Sequence, residues 1–162
     1  MSREYLISII TVVKNAETTI EKCIKSVLNQ NYKNIQYIII DGNSKDKTKE
    51  IINKYKDKIS LIISENDNGI WDAMNKGIKL ASGEILGFLN ADDFYYNNCL
   101  YTVNKYFNEK KIDFLFGTVK KYKLMYGFNP SIIKWSFGFY TSHSVGFFIK
   151  LKKHMEVGLY NP

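Results

Sequence analysis

Two adjacent carboxylates, Asp92 and Asp93, follow a hydrophobic stretch that ends at Leu89. A hard divalent cation takes oxygen ligands and usually reaches a substrate's phosphates through only one or two protein carboxylates. Two acids on a tight turn are therefore sufficient to hold a metal-bound nucleotide diphosphate. Acidic residues after a strand are also common turn formers and helix caps, so the pair alone leaves both interpretations open.

The elements that would position these acids are strands alternating with helices. Apolar, β-branched runs predict strands at 5–13, 35–40, 59–64 and 84–89, and helical spacing predicts helices at 16–29, 46–57 and about 70–81. Strands separated by single helices favour an α/β fold with a mostly parallel sheet and helices on both faces. Ligands of such sheets bind at the carboxyl ends of the strands.

That rule directs attention to the loops that follow the four predicted strands. Polar residues collect in them, namely Asn15, Asp41, 65–72 and 90–93. We therefore expect acids and amides to meet at one edge of the sheet. Beyond residue 93 the pattern predicts a helix at 97–109 and strands near 112–120 and 143–149, with no repeat or linker that would divide the 162 residues.

Composition places the chain among ordinary globular proteins, with 45% hydrophobic residues, 24% charged residues and only 2 prolines. No apolar run approaches the roughly twenty residues that span a bilayer, and the first residues do not have the pattern of a signal peptide. We therefore expect a cytoplasmic protein. Cys23 and Cys99 lie far apart without a CxxC spacing, which favours reduced, packed thiols over a disulfide or a metal site.

The formal net charge of +7 lies entirely in residues 105–162, where 10 lysines face 3 acids, and 19 of the 24 aromatic residues occur at or after Phe88. A basic, aromatic surface attracts phosphate-rich partners, including anionic lipid head groups and nucleic acid. A solvated lysine face over an aromatic core explains the same composition. The charge pattern by itself does not choose between them.

Three sequence blocks carry a family resemblance: SIITVVKNAETTIEKCIKSVLNQNY, YIIIDGNSKDKT and DNGIWDAMNKGIKLASGEILGFLNADD. In this order and spacing they resemble the nucleotide-sugar-binding half of a family 2 glycosyltransferase with the GT-A fold. The resemblance is closest to bacterial enzymes of exopolysaccharide and lipopolysaccharide assembly. It covers residues 6–94, and the segment SHSVGFF at 142–148 more distantly resembles the family's acceptor-side strand.

The resemblance implies roles for individual residues. The first nucleotide-contacting loop would include Thr11, Val13 and Asn15, with Lys14 where many members have an aromatic that stacks on the base. Asp41 would accept a hydrogen bond from the base. The remaining residues implied to contact the nucleotide sugar are Asp72, Asn75, Lys76, Asn90 and Asp92. Asp92 and Asp93 would belong to the family's D-x-D element and hold Mg²⁺ or Mn²⁺, with Asn90 in place of its first acid.

The catalytic base is not identified by the resemblance, because in relatives it is an acidic residue beyond the point where this chain stops. We therefore expect the chain to be truncated relative to the family. Within it, His143 and Glu156 are the two candidates, and Glu156 is the only carboxylate side chain after Asp113. Its surroundings, LKKHMEVGL, predict a helix start instead of a catalytic loop. A lone histidine before an aromatic strand is more often packed or orienting.

The resemblance implies an inverting, metal-dependent glycosyltransferase that moves a sugar from a nucleotide-sugar donor to a glycan or lipid-linked acceptor. The donor that we expect is a UDP-sugar. Residues 1–162 would form one GT-A domain, with donor binding in 1–94 and part of the acceptor side in 95–162. A lipid-linked acceptor would place the enzyme peripherally at the inner membrane face. We expect no nucleic-acid partner, and a homodimer is left open.

Three alternatives bound this interpretation. The chain would bind a nucleotide sugar without transferring it if no base is present. A basic, aromatic nucleic-acid-binding module would leave the acidic strand ends unexplained, because acids repel phosphate unless a metal intervenes. A dinucleotide enzyme of the Rossmann type is disfavoured because TVVKNAET follows the first strand in place of a glycine-rich G-x-G-x-x-G turn.

Overall fold

The computed structural model describes residues 3–120, 124–125 and 144–161. The strands are β1 (Ile7–Val13), β2 (Ile35–Asp41), β3 (Leu61–Ser64), β4 (Ile85–Phe88), β5 (Phe114–Phe116), β6 (Val119–Lys120), β7 (Leu124–Met125) and β8 (Phe147–Lys150). The helices are α1 (Ile20–Leu28), α2 (Thr48–Asn53), α3 (Ile70–Leu80), α4 (Cys99–Glu109) and α5 (Leu151–Val157).

Six of the strands form one sheet in the order β3-β2-β1-β4-β8-β5, and β6 pairs with β7 separately. The first four strands of the order are parallel, β8 is antiparallel to β4, and β5 is antiparallel to β8. The predicted α/β fold with a mostly parallel sheet is confirmed. Along it, Val13 pairs with Asp41 and Asp41 with Ser64, so three strand ends are level at one edge.

Helices cover both faces of this sheet, as the continuous apolar strands predict. On one face the core side chains of α1, α2 and α4 pack against Ile7 and Ile9 of β1. On the other face α3 packs against Ile10 and Val12 of the same strand, together with residues of β8 and the segment after α5. Alternate residues of β1 therefore contribute to two separate cores, which fixes the register of the strand.

Helix α3 lies unusually close to β1, and Gly77 is the reason. A Cβ at Gly77 would stand 2.5 Å from Ile10 Cγ2, well inside van der Waals contact. The absence of a side chain lets the helix axis approach the strand.

Several element bounds differ from the sequence-based prediction. Helix α1 begins at Ile20 and not at 16, because Asn15 adopts a left-handed conformation with φ 51° and a turn follows it. The helix predicted at 46–57 is divided into α2 and a short 3-10 turn at Lys56–Lys58. The strand predicted at 112–120 is divided into β5 and β6, and the last strand begins at Phe147 after a 3-10 turn.

The search for membrane-spanning segments can be made only over the part of the chain that the structure describes. Within residues 3–120, 124–125 and 144–161, no helix has both the length and the apolar character to cross a bilayer.

Candidate functional site

The loops after β1 and β2 are joined into one rim by hydrogen bonds. The backbone N–H of Asn15 donates to Ser44 Oγ at 2.8 Å, and Asn15 Oδ1 accepts from the Lys45 N–H at 2.8 Å. The Ala16 N–H donates to Thr48 Oγ1 at 2.8 Å. Asn15 is exposed and holds φ at 51°, a conformation that asparagine tolerates. The structure thus brings Asn15 to the predicted edge.

Asp41, the last residue of β2, lies inside this rim with 0% of its surface exposed. Its Oδ1 accepts from the Ser44 hydroxyl and, at 3.1 Å, from the Ser44 N–H, while Ser64 Oγ donates to Oδ2 at 2.6 Å. The carboxylate therefore ties the loop after β2 to the end of β3. The base contact expected for Asp41 remains a prediction, and it would require Asp41 to exchange one of these serine donors for the base.

Lys76 of α3 organises the loop that follows β3. Its ammonium donates to the Asn66 carbonyl at 2.9 Å and forms ion pairs with Glu65 at 2.9 Å and Asp72 at 3.3 Å. The Glu65 carboxylate is the chief cause of a raised pKa at Lys76. The Asn68 N–H and then Lys76 hold the pKa of Asp72 below its ordinary value. Lys76 and Asp72 are half-buried at the sheet edge, where the sequence placed them.

Asn75, the neighbour of Lys76 on α3, is buried and bonded to a segment far along the chain. Only 8% of its surface is exposed, and its side-chain amide makes two hydrogen bonds with the backbone of Tyr160, in the segment after α5. Helix α3 has about 3.6 residues per turn, so adjacent residues point about 100° apart. The expectation that Asn75 and Lys76 both line the nucleotide pocket remains a prediction. Lys76 contacts the loop after β3, whereas Asn75 is hydrogen-bonded to the segment after α5.

The turn after β4 carries the acidic pair. The Asp93 N–H donates to the Asn90 carbonyl at 3.0 Å, and Asn90 Nδ2 donates to Asp93 Oδ2 at 3.3 Å. Asp92 is exposed and Asp93 is half-buried. The turn therefore holds the Asp93 carboxylate in place, whereas the exposed Asp92 carboxylate is free to adjust. Both residues line the cavity described below.

Beneath the turn lies a small buried polar group. Thr11 Oγ1 lies 3.2 Å from Tyr37 Oη, and Cys23 Sγ donates to the Asn90 carbonyl at 3.4 Å. Burial raises the pKa of the Cys23 thiol to about 11 and that of Cys99 to about 12, so both free thiols stay protonated at neutral pH. The side chains of Thr11 and Val13 are buried, so they support the loop after β1 from below, and their predicted contact with a nucleotide remains a prediction.

A cavity of about 700 Å³ adjoins the acidic turn on the side of β8 and β5. Its lining includes Asp92, Asp93, Tyr106, Phe116 and Phe148. The acidic pair consequently stands between the loops of the first three strands and an aromatic hollow. A site of this shape suits a ligand with a charged end and a bulkier remainder.

A divalent metal would fit the acidic turn through two protein oxygens, provided that the bound ligand supplies others. Within the described ranges, no group of three or more His, Cys, Asp or Glu residues is arranged to hold a metal by itself. That donor set matches the ordinary coordination of Mg²⁺, which keeps waters and phosphate oxygens beside one or two carboxylates.

Of the two candidate bases, the structure describes only Glu156. Glu156 lies in the last turn of α5, is exposed, and its carboxylate pairs with Lys153 Nζ at 2.8 Å. The predicted helix in this segment is present. His143 lies outside the described residues.

The sequence prediction missed Ser44 and Ser64 at this edge, and it included Asp67 only as one of residues 65–72, without a role of its own. The serines hold Asp41, and Asp67 Oδ1 accepts from the Gly69 N–H at 3.1 Å in an Asx-type turn. The sequence Asp67-Asn68-Gly69 in the loop after β3 was the available signal for this turn, since Asx turns favour such sequences. The serines gave no signal, because a lone serine after a strand is common.

Comparison with known proteins gives the fold and the site a context. The family model described as Glycosyl transferase family 2 matches residues 8–157. An uncharacterized glycosyltransferase of Haemophilus influenzae is 41% identical over 113 residues, 68% of this chain and 42% of the relative. The UDP-Glc:alpha-D-GlcNAc-diphosphoundecaprenol beta-1,3-glucosyltransferase WfgD of Escherichia coli is 36% identical over 115 residues, 70% of this chain and 46% of the relative. The chain spans less than half the length of these two relatives.

Solved structures share the fold. The crystal structure of S. aureus TarS 1-349 matches with a TM-score of 0.77 at 22% identity, over 96% of this chain and 50% of that one. Its complex with UDP-GlcNAc matches with a TM-score of 0.66 at 26% identity, over 70% and 34%. The mannosyltransferase PcManGT from Pyrobaculum calidifontis, in complex with GDP-Man and Mn2+, matches with a TM-score of 0.77 at 17% identity, over 98% and 48%.

Proposed function

This chain belongs to glycosyl transferase family 2, and on that premise we propose that it transfers a sugar from a UDP-sugar to a hydroxyl group of a glycan or lipid-linked acceptor. The donor would bind at the carboxyl edge of the sheet, within residues 1–94. Residues 95–162 would contribute part of the acceptor side of one GT-A domain.

One observation carries this proposal: the acidic turn of Asp92 and Asp93 lies at the same sheet edge as the rim built by Asn15, Ser44 and Lys76. Loops after parallel strands are where such sheets bind nucleotides. Uridine donors are supported by WfgD, whose name includes UDP-Glc, and by the TarS complex with UDP-GlcNAc.

Asp92 and Asp93 would hold a Mg²⁺ or Mn²⁺ ion, and its charge would neutralise the diphosphate as it leaves. Support comes from the two carboxylate donors on one turn and from the Mn2+ in the PcManGT complex. Asn90 fixes the position of Asp93 by its side-chain hydrogen bond.

The reaction we propose inverts the configuration at the anomeric carbon. An acceptor hydroxyl attacks that carbon, the bond to the diphosphate oxygen breaks, and a base removes the hydroxyl proton. The cavity beside Asp92 would receive the acceptor. Of the carboxylates that follow Asp113 within the described ranges, Glu156 is held by Lys153 at 2.8 Å, so we assign it a structural role and not that of the base.

A lipid-linked acceptor is supported by the name of WfgD, which includes diphosphoundecaprenol. Such an acceptor would place this protein on the cytoplasmic side of the inner membrane, in peripheral contact with the lipid, and in polysaccharide assembly for the cell envelope. The basic residues of 105–162 would then favour anionic head groups. We propose no nucleic-acid partner, and a homodimer remains a prediction.

The test is a donor screen by calorimetry. UDP-glucose, UDP-GlcNAc, GDP-mannose and dTDP-glucose would be titrated into the protein with Mn²⁺, with Mg²⁺ and with a chelator, and single-stranded RNA would serve as the polyanion control. We expect a UDP-sugar to bind at least about tenfold more tightly with metal than without it, a difference of about 1.4 kcal/mol. Equal affinity for all donors, or tighter binding of RNA, would overturn the proposal.

A further inference from the structure

A second hollow, of about 500 Å³, lies between α1 and the segment 94–97 that follows the acidic turn. On the side of α1 it is lined by Lys22, Lys25, Ser26 and Asn29, and on the other side by all four residues of 94–97. The same four residues also line the cavity that would receive the acceptor. The segment 94–97 is therefore a wall shared by the cavity and the hollow.

Hydrogen bonds hold this wall against α1 and the residues that follow it. The Tyr95 N–H donates to Ser26 Oγ at 3.1 Å, and Gln30 Nε2 donates to the Tyr96 carbonyl at 3.0 Å. Gln30 is buried, with 2% of its surface exposed. The distance between the wall and the lysines of α1 is therefore set by contacts within the protein, and the hollow is present before any ligand binds.

Lys22 places a positive charge at the hollow that no acid neutralises. Its ammonium lies 3.5 Å from the centroid of the Phe94 ring, a cation–π contact, and within the ranges that the structure describes it forms no ion pair with a carboxylate. Lys25, on the same face of α1, pairs with Glu21 at 3.1 Å. A ring face orients an ammonium without cancelling its charge, so Lys22 is the cation that an anionic ligand would meet.

The rings on the shared wall are exposed to solvent. Phe94 exposes 37% of its surface and Tyr96 exposes 58%, and their ring centroids lie 5.5 Å apart. Exposed aromatic rings beside lysines are typical of surfaces at the boundary between water and lipid, where the rings contact hydrocarbon and the ammonium groups contact phosphate. The chemistry of the hollow therefore fits a ligand that joins an anionic phosphate to a hydrocarbon chain.

We propose that this hollow binds the diphosphate of a lipid-linked acceptor, with Lys22 as the principal cation and the rings of Phe94 and Tyr96 against the first part of the lipid chain. This inference rests on the proposed transfer to a lipid-linked acceptor. A sugar attached to that diphosphate would extend across the segment 94–97 into the cavity beside Asp92. The enzyme would then use binding energy from the carrier, as well as from the sugar, to position the acceptor.

The experiment measures the binding of farnesyl diphosphate by calorimetry. The donor site is first saturated with UDP and Mg²⁺, so that a second diphosphate cannot bind at Asp92 and Asp93. Inorganic pyrophosphate and farnesol represent the two halves of the probe. We expect farnesyl diphosphate to bind at least about tenfold more tightly than either half. Its affinity should fall as NaCl is added, because salt screens the charge of Lys22.

Three variants locate the site. Lys22→Met keeps the aliphatic stem and removes the charge, so it should bind farnesyl diphosphate roughly ten- to a hundredfold more weakly. Lys22→Arg keeps the charge and can keep the contact with Phe94, so it should retain most of the affinity. Lys58→Met is the matched control, because Lys58 is an exposed lysine of the 3-10 turn before β3, and it should bind the probe as the wild-type protein does.

The outcomes separate this inference from the function on which it rests, because UDP is titrated into every variant as well. If UDP binds with metal but farnesyl diphosphate binds Lys22→Met as tightly as the wild-type protein, or binds neither, the assignment of the hollow is wrong and the donor site stands. If pyrophosphate binds as tightly as farnesyl diphosphate, the lipid-linked ligand is wrong. If UDP does not bind with metal, the proposed function and this inference both fail.

Weaker binding of farnesyl diphosphate to Lys22→Met, with binding intact in Lys22→Arg and Lys58→Met and with UDP affinity equal in all of them, supports the assignment.

Discussion

Asn75 and Tyr160, 85 residues apart in the chain, are joined by two hydrogen bonds. Asn75 Nδ2 donates to the Tyr160 carbonyl at 2.8 Å, and the Tyr160 N–H donates to Asn75 Oδ1 at 2.9 Å. The Tyr160 ring lies against Trp71, with 4.9 Å between ring centroids, and against Phe88 with 6.1 Å. The segment after α5 is therefore fastened to α3, the helix that also carries Lys76.

Asn75→Ala should lower the free energy of unfolding by about 1–3 kcal/mol, because it leaves two backbone groups of Tyr160 without their partner. Urea unfolding of the ligand-free protein measures this. Asn53→Ala is the matched control: Asn53 is an exposed residue on α2, where a change of at most about 0.5 kcal/mol is expected. An unchanged stability of Asn75→Ala combined with weaker UDP binding would instead support the direct nucleotide contact implied by the family resemblance.

Asp41→Asn should also destabilise the ligand-free protein. Asp41 accepts from the Ser44 N–H, the Ser44 hydroxyl and the Ser64 hydroxyl, and the new amide group would turn an N–H donor towards one of these donors. The free energy of unfolding, measured by urea unfolding, should fall by about 1–3 kcal/mol. Ser64→Ala, which removes a single donor, should lose less. If Asp41→Asn kept full stability but bound UDP ten- to a hundredfold more weakly, about 1.4 kcal/mol per factor of ten, the result would support the contact between Asp41 and the base that the family resemblance implies.

These residues show what the sequence could and could not predict. Apolar runs and helical spacing are local properties, so the strands, the parallel sheet and the edge that carries Asn15, Lys76 and Asp92 were predictable. The antiparallel position of β8 between β4 and β5 depends on pairing between distant segments. The hydrogen-bond partners of Asn75 and Asp41 depend on the same long-range packing, so the sequence did not predict them.

The loop around Asp72 should weaken in acid. The Asn68 N–H and then the Lys76 ammonium hold the pKa of Asp72 below its ordinary value. The stabilisation that they give is present above the ordinary pKa of an aspartate and is lost as the pH falls through the lowered one. In Lys76→Met the Asn68 N–H still donates to Asp72, so the pKa of Asp72 should rise only part of the way towards its ordinary value. Carboxyl NMR titration of Asp72 in both proteins tests this, and identical midpoints would contradict it.

The last prediction concerns the metal, which Asp92 and Asp93 would hold. A ligand that binds only the folded state stabilises it by about 2.7 kcal/mol at one hundred times its dissociation constant. For a chain of this size, each kcal/mol corresponds to roughly 2–4 °C in Tm. UDP and Mn²⁺ together should therefore raise the Tm of the wild-type protein by several degrees, and a chelator should remove most of that shift.

Asp92→Ala and Asp93→Ala should each abolish the joint shift, because each removes one of the two protein carboxylates that would bind the metal at this turn. The two variants should differ in their own stability. Asp92 is exposed, so Asp92→Ala should leave the Tm of the ligand-free protein unchanged. Asp93 is half-buried and bonded to Asn90, so Asp93→Ala should lower that Tm. Asp57→Ala, at an exposed acid of the 3-10 turn before β3, should keep the full shift. If both turn variants keep it as well, the metal is held elsewhere.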